Sequence, residues 1–460
     1  AGIATFADLS IDQPGSGYTL TADANGLPGA TSAPFDISST SLVFTAQPST
    51  TTAGAKITPA VQVTARDALG HPITTFTGKV TVAILAGTGT PGATLSGTVS
   101  VNAVAGVASF STLSIDKSGT GYKLIASATG FPPGVSSSFT INAGTATKLG
   151  FIVQPSTTPA GATIIPAVQV AAQDALGNTV KTFTGTVTMT ISTNPGGGTL
   201  SGTTTVVLNA GVAAFSTLSI NKAGVGYKLR ATVSGLTNAT SLAFDIAPAA
   251  ATQLFYEMSP STSTAGDVIA PPVQVAVHDS MGNTVTSFTG DVTVLITAGS
   301  GTAGATLFGT TTVAAVAGVA TFSDLRIDKA GTGYKLSATA SGVAGKNSAS
   351  FQIIAGTPVK LSFNVQPANT AAGTVITPAV EVTVRDSLNN VVKTYTDSVT
   401  IGIGTNPSGG TLSGTTTVAA TAGVAVFTDL SINLAGTGYR LVATASGLAT
   451  ATSSSFTISP

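Results

Sequence analysis

The stretch FSTLSINKAGVGYKL, residues 215–229, decides the fold. Leu218 and Ile220 lie before its Gly-x-Gly segment, and Tyr227 and Leu229 lie after it. Apolar residues spaced two apart on both sides of a glycine-rich break indicate short β-strands joined by a turn, and not a helix. The stretch therefore predicts an antiparallel β-structure.

The Gly-x-Gly-Tyr segment occurs five times, with spacings of 104, 105, 107 and 105 residues between its tyrosines, which are Tyr18, Tyr122, Tyr227, Tyr334 and Tyr439. A second marker, an aspartate at the start of a turn, occurs at Asp67, Asp174, Asp279 and Asp386. Self-similarity at a fixed period predicts repeated domains. We expect the last part of an incomplete domain in residues 1–38 and four complete domains, called repeats 1 to 4, in residues 39–142, 143–246, 247–354 and 355–460.

Each repeat has the pattern of a sandwich. Val61, Val63 and Ala65 alternate with polar residues, and seven or more such runs end at Gly, Pro, Asn or Asp. Residues 174–178, Asp-Ala-Leu-Gly-Asn, are expected to form a hairpin turn with Gly and Asn at positive φ. Tyr122 lies where immunoglobulin folds have their corner tyrosine, and Leu124 takes the place of the second cysteine of antibody domains. The predicted fold class is all-β: tandem immunoglobulin-like antiparallel β-sandwiches in an elongated array.

Two motifs carry a resemblance to a known group of proteins. They are Val-x-Val-x-x-x-Asp-x-x-Gly-Asn, residues 168–178, and the stretch 215–229. With these motifs the whole chain resembles the bacterial immunoglobulin-like tandem-repeat surface proteins of the invasin and intimin type. The resemblance implies an extracellular array of rigid β-domains, and it transfers no catalytic residue.

The composition excludes several classes of protein. Lys and Arg together number 18, as do Asp and Glu, and only 8% of the residues are charged, so no basic field exists to bind nucleic acid. No run of 18 uninterrupted apolar residues occurs, which predicts no membrane span. The chain has no cysteine, so disulfides and thiolate metal sites are excluded.

The sequence contains little evidence of a catalytic or cofactor-binding site. The two histidines, His71 and His278, occupy different positions of the repeat and have no carboxylate or second ligand at a fixed spacing. The loops beginning at Gly87 and Gly299 match Gly-x-Gly-x-x-Gly, but no helix pattern follows to bind a pyrophosphate. We therefore predict no enzyme activity and no cofactor.

The recurring aspartates could bind calcium or cap their own turns. Calcium requires six to eight oxygens with several carboxylates converging. Repeat 2 contains only Asp174 and Asp245 as acids, which favours turn caps at Asp67, Asp174, Asp279 and Asp386, and no metal. The five tyrosines are predicted to be structural, with a buried ring and a hydroxyl bound to the backbone.

The repeats alternate in one loop. Ile84 to Leu95 spans 11 positions in repeat 1, and Ile191 to Leu200 spans 9 in repeat 2; repeats 3 and 4 follow the same order. This pattern indicates duplication of a two-repeat unit. Different neighbours for successive repeats and simple ancestry both remain open as its cause.

The predicted function is structural or adhesive: a rod or filament of tandem repeats on a microbial surface. The alternative is a stalk that presents a binding or catalytic domain outside this sequence. Expected partners are further identical repeats, another copy, a glycan or a cell-surface receptor. Residues 1–38 lack the strands that complete a sandwich. Three explanations are open: another chain donates the missing strands, the domain stays partial, or the 460 residues are a window of a longer chain. The last explanation is the most economical.

Overall fold

The computed structural model describes residues 2–13, 15–37 and 39–460. In these residues the regular structure consists of β-strands, and no helix is present. The chain forms two compact units, one of residues up to Thr158 together with Ala162–Ile246, the other of Pro159–Gly161 together with Ala247–Pro460. The all-β class predicted from the sequence is confirmed, whereas the limits of the individual domains remain predictions.

The first unit begins with the partial repeat, residues 2–37. Its four strands are β1 (Gly15–Tyr18), β2 (Thr21–Ala22), β3 (Ala30–Thr31) and β4 (Phe35–Ile37). Strand β1 pairs with β4 and β2 with β3, both antiparallel. Several apolar side chains here are exposed: Phe6 is 64% and Leu9 62% accessible, whereas the corresponding Phe110 and Leu113 of repeat 1 are fully buried.

Repeat 1 consists of two facing sheets. Its strands are β5 (Ser41–Ala46), β6 (Thr51–Thr52), β7 (Val61–Arg66), β8 (Lys79–Ile84), β9 (Leu95–Ser96), β10 (Ser100–Asn102), β11 (Val107–Phe110), β12 (Ser114–Ile115), β13 (Gly119–Tyr122), β14 (Leu124–Ala128), β15 (Phe131–Val135) and β16 (Phe139–Asn142). One of these sheets has the order β11-β7-β5 and the other β10-β8-β14-β15; β13-β16-β6 and β12-β9 form two smaller sheets beside them. Side chains from both sheets share one core, which makes the repeat a sandwich.

Repeat 2 has the same plan. Its strands are β17 (Lys148–Val153), β18 (Thr158–Pro159), β19 (Val168–Gln173), β20 (Thr186–Thr193), β21 (Leu200–Ser201), β22 (Thr205–Val207), β23 (Val212–Phe215), β24 (Ser219–Ile220), β25 (Gly224–Thr232), β26 (Ala239–Thr240) and β27 (Phe244–Ala247). The sheets are β17-β19-β23 and β18-β27-β25-β20-β22, with β26 on β25, and β21 pairs with β24.

The second unit contains repeats 3 and 4. Repeat 3 has β28 (Ala251–Met258), β29 (Ser263–Thr264), β30 (Val273–Asp279), β31 (Asp291–Ile296), β32 (Leu307–Phe308), β33 (Thr312–Ala314), β34 (Val319–Phe322), β35 (Arg326–Ile327), β36 (Gly331–Tyr334), β37 (Leu336–Ala340), β38 (Val343–Asn347) and β39 (Phe351–Ile354). Repeat 4 has β40 (Lys360–Val365), β41 (Thr370–Ala371), β42 (Val380–Arg385), β43 (Ser398–Thr405), β44 (Leu412–Ser413), β45 (Thr417–Ala419), β46 (Val424–Phe427), β47 (Ser431–Ile432), β48 (Gly436–Thr444), β49 (Ala451–Thr452) and β50 (Phe456–Ser459). In repeat 3, β38 pairs with both β37 and β28, so the edge of the first strand is covered.

The core follows from the period of two in each strand. Val61, Val63 and Ala65 point inwards and are at most 1% exposed. Phe110 and Tyr122 are fully buried, as are their counterparts Phe215, Tyr227, Tyr334 and Tyr439 in the other repeats. Full burial of such a side chain contributes about 1.5–3 kcal/mol, so each repeat has a core of its own.

One local expectation is confirmed only in part. Residues 174–178 are expected to form a hairpin turn with Gly and Asn at positive φ. The residues next to the turn do pair: Gln173 and Thr179 form an antiparallel bridge, and the N–H of Asp174 donates to the carbonyl oxygen of Asn178 at 2.9 Å. The long strands on either side, however, do not pair with each other. Strand β19 pairs with β17 and β23, whereas β20 pairs with β22 and β25. The turn crosses from one sheet to the other, and only Gly177 has a positive φ, +87°. Asn178 has a different role.

Candidate functional site

The corner tyrosines bind the backbone in the same way in the partial repeat and in repeats 1 to 4. The ring of Tyr18 is only partly buried, against the expectation, because the partial repeat has no complete core, whereas the other four rings are fully buried. Each hydroxyl donates to the carbonyl oxygen five residues earlier: Tyr18 to Gln13 at 3.0 Å, Tyr122 to Lys117 at 2.8 Å, Tyr227 to Lys222 at 2.8 Å, Tyr334 to Lys329 at 2.7 Å and Tyr439 to Leu434 at 3.0 Å. The hydrogen bond fixes the corner before the strand that carries the tyrosine. We propose a structural role for all five residues.

The alternating loops cover the tyrosines in two different ways. In repeat 1, Gly89 has φ of +69° and lies on the ring of Tyr122, where a Cβ atom would overlap the ring. In repeat 2, a Cβ on Gly198 would lie 2.9 Å from the hydroxyl of Tyr227. Burial raises the pKa of Tyr227, against the opposing effect of the backbone N–H groups of Gly196 and Gly198. The longer loop thus packs on the ring and the shorter one on the hydroxyl.

The recurring aspartates cap their turns with one carboxylate oxygen. Oδ1 of Asp67 accepts from the N–H of Leu69 at 3.0 Å and of His71 at 2.8 Å. Oδ1 of each other aspartate accepts the N–H four residues on: Asp174 from Asn178 at 2.8 Å, Asp279 from Asn283 at 2.9 Å and Asp386 from Asn390 at 2.7 Å. These contacts have the geometry of a turn cap.

The second carboxylate oxygen binds the first residues of the repeat, which form the linker to the preceding repeat. Oδ2 accepts from a backbone N–H thirty residues earlier: Asp174 from Gly144 at 2.8 Å, Asp279 from Ala249 at 2.9 Å and Asp386 from Gly356 at 2.9 Å. Burial tends to raise the pKa of Asp174, but the hydrogen bonds from Gly144 and Asn178 outweigh it and hold the pKa below its usual value. The charged carboxylate therefore fixes the linker to its repeat.

Asn178 connects repeat 1 to repeat 2. Its Oδ1 accepts from the N–H of Ser118 at 2.9 Å, and its Nδ2 donates to the carbonyl oxygen of Asp116 at 2.9 Å and to Oδ2 of Asp174 at 3.0 Å. Asn178 is 9% exposed and Asp174 3%. We call this arrangement the asparagine joint. The hydrogen bonds between Asn178 and Asp174 are buried, and the two that reach repeat 1 are partly buried; low exposure to water strengthens such bonds.

The second unit contains an equivalent asparagine joint between repeats 3 and 4. Oδ1 of Asn390 accepts from the N–H of Ala330 at 2.8 Å, and its Nδ2 donates to the carbonyl oxygen of Asp328 at 2.9 Å. Sequence reasoning missed these residues. The available signal was an asparagine four positions after the aspartate in repeats 2, 3 and 4, replaced by His71 in repeat 1.

An apolar contact accompanies each of these joints. Leu176, in the turn that Asp174 caps, lies against Gly54 of repeat 1, where a Cβ atom would approach its Cδ1 to 2.9 Å. Leu388 lies against Gly266 in the same way, at 2.8 Å. Glycine at these positions lets the leucine of one repeat pack on the backbone of the preceding one.

The two histidines lie beside the aspartate caps, but their rings do not take part in the asparagine joints. His71 is exposed, with Nδ1 3.7 Å from Oδ2 of Asp67, and the ring of His278 stacks on Phe255 with a centroid distance of 4.9 Å. Among the described residues, no three His, Asp or Glu side chains are grouped so that they could hold a metal ion.

Two grooves flank the linker between repeats 1 and 2. One has a volume of about 680 Å³ and is lined by Lys117, Thr120 and Lys181 among others. The other has a volume of about 520 Å³ and is lined by Phe183 and Leu236 among others. Both therefore lie beside the asparagine joint.

No protein-family model and no curated protein matches the chain. Among solved structures, the chain is similar to the Escherichia coli adhesin FdeC (16% identity, TM-score 0.33, covering 68% of this chain and 97% of that one) and to invasin, a bacterial integrin-binding protein (12% identity, TM-score 0.30, covering 92% and 79%). A β-glycosidase from Bacteroides vulgatus also matches, at 13% identity and a TM-score of 0.21, over 46% of this chain and 25% of that one. Invasin is a protein of the type that the sequence motifs resemble, but similarity at these levels assigns neither function nor ligand.

Within the part of the chain that the structure describes, no helix has the length and apolar character needed to cross a membrane.

Proposed function

We propose that the chain is a structural or adhesive extracellular protein: a stiff rod of tandem immunoglobulin-like repeats on a microbial surface, without enzymatic activity. The observation that supports this function best is the asparagine joint. A side chain in a flexible connection would be hydrated, whereas Asn178 and Asp174 are buried and hydrogen-bonded on both sides of the linker. Several hydrogen bonds at one joint, made by side chains that are themselves buried, restrict bending between the two repeats.

The chemistry of the chain fits this role. Equal numbers of acidic and basic residues, 18 each, leave little charge repulsion between adjacent repeats. Each repeat has its own core, so stability is mainly local and a long array remains folded without disulfides. The polar groups of the site, namely the tyrosine corners and the aspartate caps, bind backbone atoms and leave no arrangement of acid, base and nucleophile.

Small-angle X-ray scattering on the full chain tests the rod. Strands of six to eight residues plus turns give about 40 Å per repeat, so the maximum dimension should be on the order of 170 Å. The double variant Asn178→Ala/Asn390→Ala should broaden the distance distribution, because both asparagine joints lose their bridging side chain. The variant His71→Ala changes the equivalent position of repeat 1 and should leave the distribution unchanged.

A wild-type dimension of about half that value, or an unaltered distribution in the double variant, would overturn the stiff rod. Negative-stain microscopy separates the two uses of such a rod. Ordered filaments with lateral contacts favour self-assembly, and single unbranched strings favour the stalk.

A further inference from the structure

We propose that the groove beside the asparagine joint of repeats 1 and 2 binds an acidic carbohydrate, a short saccharide that carries carboxylate or sulfate groups. The proposal rests on the adhesive side of the proposed function and gives it a place and a ligand class. The groove of about 680 Å³ lies within the range typical of small-molecule sites and would hold a few sugar rings.

The charge of the groove favours an anion. Lys117 and Lys181 both line it, and none of its lining residues is an acid or has an aromatic ring. In a chain whose formal net charge is zero, two lysines without a facing carboxylate form a local positive field. Recognition would then depend on charge and hydrogen bonds, and not on stacking.

Two carboxylates of the joint region, those of Asp174 and Asp116, are bound to backbone N–H groups. Oδ2 of Asp174 accepts from the N–H of Gly144 at 2.8 Å, and Oδ1 of Asp116 accepts from the N–H of Thr94 at 2.7 Å. These acids hold the backbone that shapes the groove. Within the described residues neither Lys117 nor Lys181 forms an ion pair with a carboxylate, so both ammonium groups can bind a ligand.

The groove also offers hydroxyl groups on a fixed backbone. Thr90, Thr120 and Thr182 line it beside the lysines. Oγ1 of Thr90 donates to the carbonyl oxygen of Ser118 at 2.6 Å, and the carbonyl of Lys117 accepts from the buried hydroxyl of Tyr122 at 2.8 Å. A site supported in this way is preorganised, which lowers the entropic cost of binding. Hydroxyl and ammonium groups together match the hydroxyls and acid groups of a charged sugar.

The same residues recur 212 positions later, at Thr302, Lys329, Thr332, Lys393 and Thr394. In both cases they accompany the longer loop, which occurs in repeats 1 and 3. The residue of repeat 3 that corresponds to Lys181 is a threonine, Thr286. The two-repeat period thus includes the lysine pair as well as the loop. This correspondence predicts one binding site for every two repeats.

Isothermal titration calorimetry on the full chain tests the proposal with trigalacturonic acid, a heparin-derived tetrasaccharide and neutral maltotriose. We expect at least one acidic probe to bind with about two sites per chain, and maltotriose not to bind. Lys117→Gln/Lys181→Gln should remove one site, and the quadruple variant that adds Lys329→Gln/Lys393→Gln should weaken binding at least about tenfold. A rise in salt from about 50 to 500 mM should weaken it as well.

The control variant Lys56→Gln/Lys79→Gln removes the same charge from exposed positions that do not line the groove. Equal loss in the control, equal binding of maltotriose, or equally tight binding of inorganic sulfate alone would overturn the proposal. So would failure of both acidic probes to bind. Scattering curves of the lysine variants should match the wild type, so a failed binding test leaves the rod proposal separate and intact.

Discussion

The side-chain amide of Asn178 donates to the carbonyl oxygen of Asp116, 62 residues earlier in the chain, at 2.9 Å. The same side chain accepts from the N–H of Ser118, so one residue of repeat 2 satisfies two backbone groups of repeat 1. A buried polar group that loses its partner costs about 1–3 kcal/mol. The connection between the repeats is therefore specified chemically and not only by a short linker.

Asn178→Ala should destabilise this joint by about 1–3 kcal/mol, because the amide of Ser118 and the carbonyl of Asp116 lose their partner. Hydrogen exchange on the full chain measures this directly at the Ser118 amide, whose protection should fall. His71→Ala is the matched control: this exposed side chain, 73% accessible, holds the same position in repeat 1, and its loss should cost less than about 0.5 kcal/mol. Unchanged protection of Ser118 would contradict the joint.

The loop that covers the corner tyrosine gives a second test. Gly89→Ala should destabilise repeat 1 by about 2 kcal/mol or more, because the new methyl group would overlap the ring of Tyr122. Gly87→Ala is the control for backbone strain alone. Gly87 has a φ of +79°, similar to the +69° of Gly89, but a Cβ atom on Gly87 would meet no other atom within 4 Å. Thermal unfolding of both variants should show the larger shift for Gly89→Ala. Equal shifts would mean that only the left-handed backbone matters.

Much of this fold follows from sequence because its determinants are local. The alternation at Val61, Val63 and Ala65 predicts an inward face, and these residues are buried. The predicted tyrosine corner rests on a segment of a few residues, and the hydroxyl of Tyr227 does bind the carbonyl five residues earlier.

The contacts that sequence reasoning missed join residues far apart in the chain. Asn178 looks like an ordinary turn residue, since Asp-x-x-Gly-Asn is sufficient to explain a turn by itself. Its partners lie in another repeat, and their spacing of about 60 residues has no periodic signature. The packing of Leu176 on Gly54 is equally hidden, because each residue has a simple local explanation.

A tight turn in every repeat places an alanine in an unfavourable backbone conformation. Ala105 has φ of +49° and is followed by Gly106 at +78°, and Val104 and Val107 exchange two backbone hydrogen bonds, at 2.9 and 3.1 Å. This is the geometry of a two-residue hairpin turn that prefers Asn-Gly. The same φ recurs at Ala210, Ala317 and Ala422.

Ala105→Asn should therefore stabilise repeat 1, by about 0.5 kcal/mol, since asparagine tolerates the left-handed region better than alanine does. Thermal unfolding should show a higher midpoint for this variant. Ala103→Asn is the control of opposite sign, because Ala103 is buried and a polar side chain there lacks a partner. A lowered midpoint for Ala105→Asn would show that the turn needs alanine for another reason.

The carboxylate of Asp174 makes the joint sensitive to acid. Burial acts to raise the pKa of Asp174, but hydrogen bonds from Gly144, Asn178 and Leu176 outweigh it, so the folded pKa lies below the usual 3.8. A group whose pKa is lower in the folded than in the unfolded protein stabilises the fold at every pH above its unfolded pKa. This stabilisation is lost as the pH falls through the folded pKa.

Asp174→Asn should thus be less stable than the wild type at pH 7, and the difference in stability should narrow below about pH 4. Unfolding midpoints of the wild type and of Asp174→Asn, recorded from about pH 7 to about pH 2, measure the difference and its narrowing. Asp267→Asn, at an exposed position, is the control. A difference that stays constant into acid would mean that the neutral carboxyl holds the linker equally well.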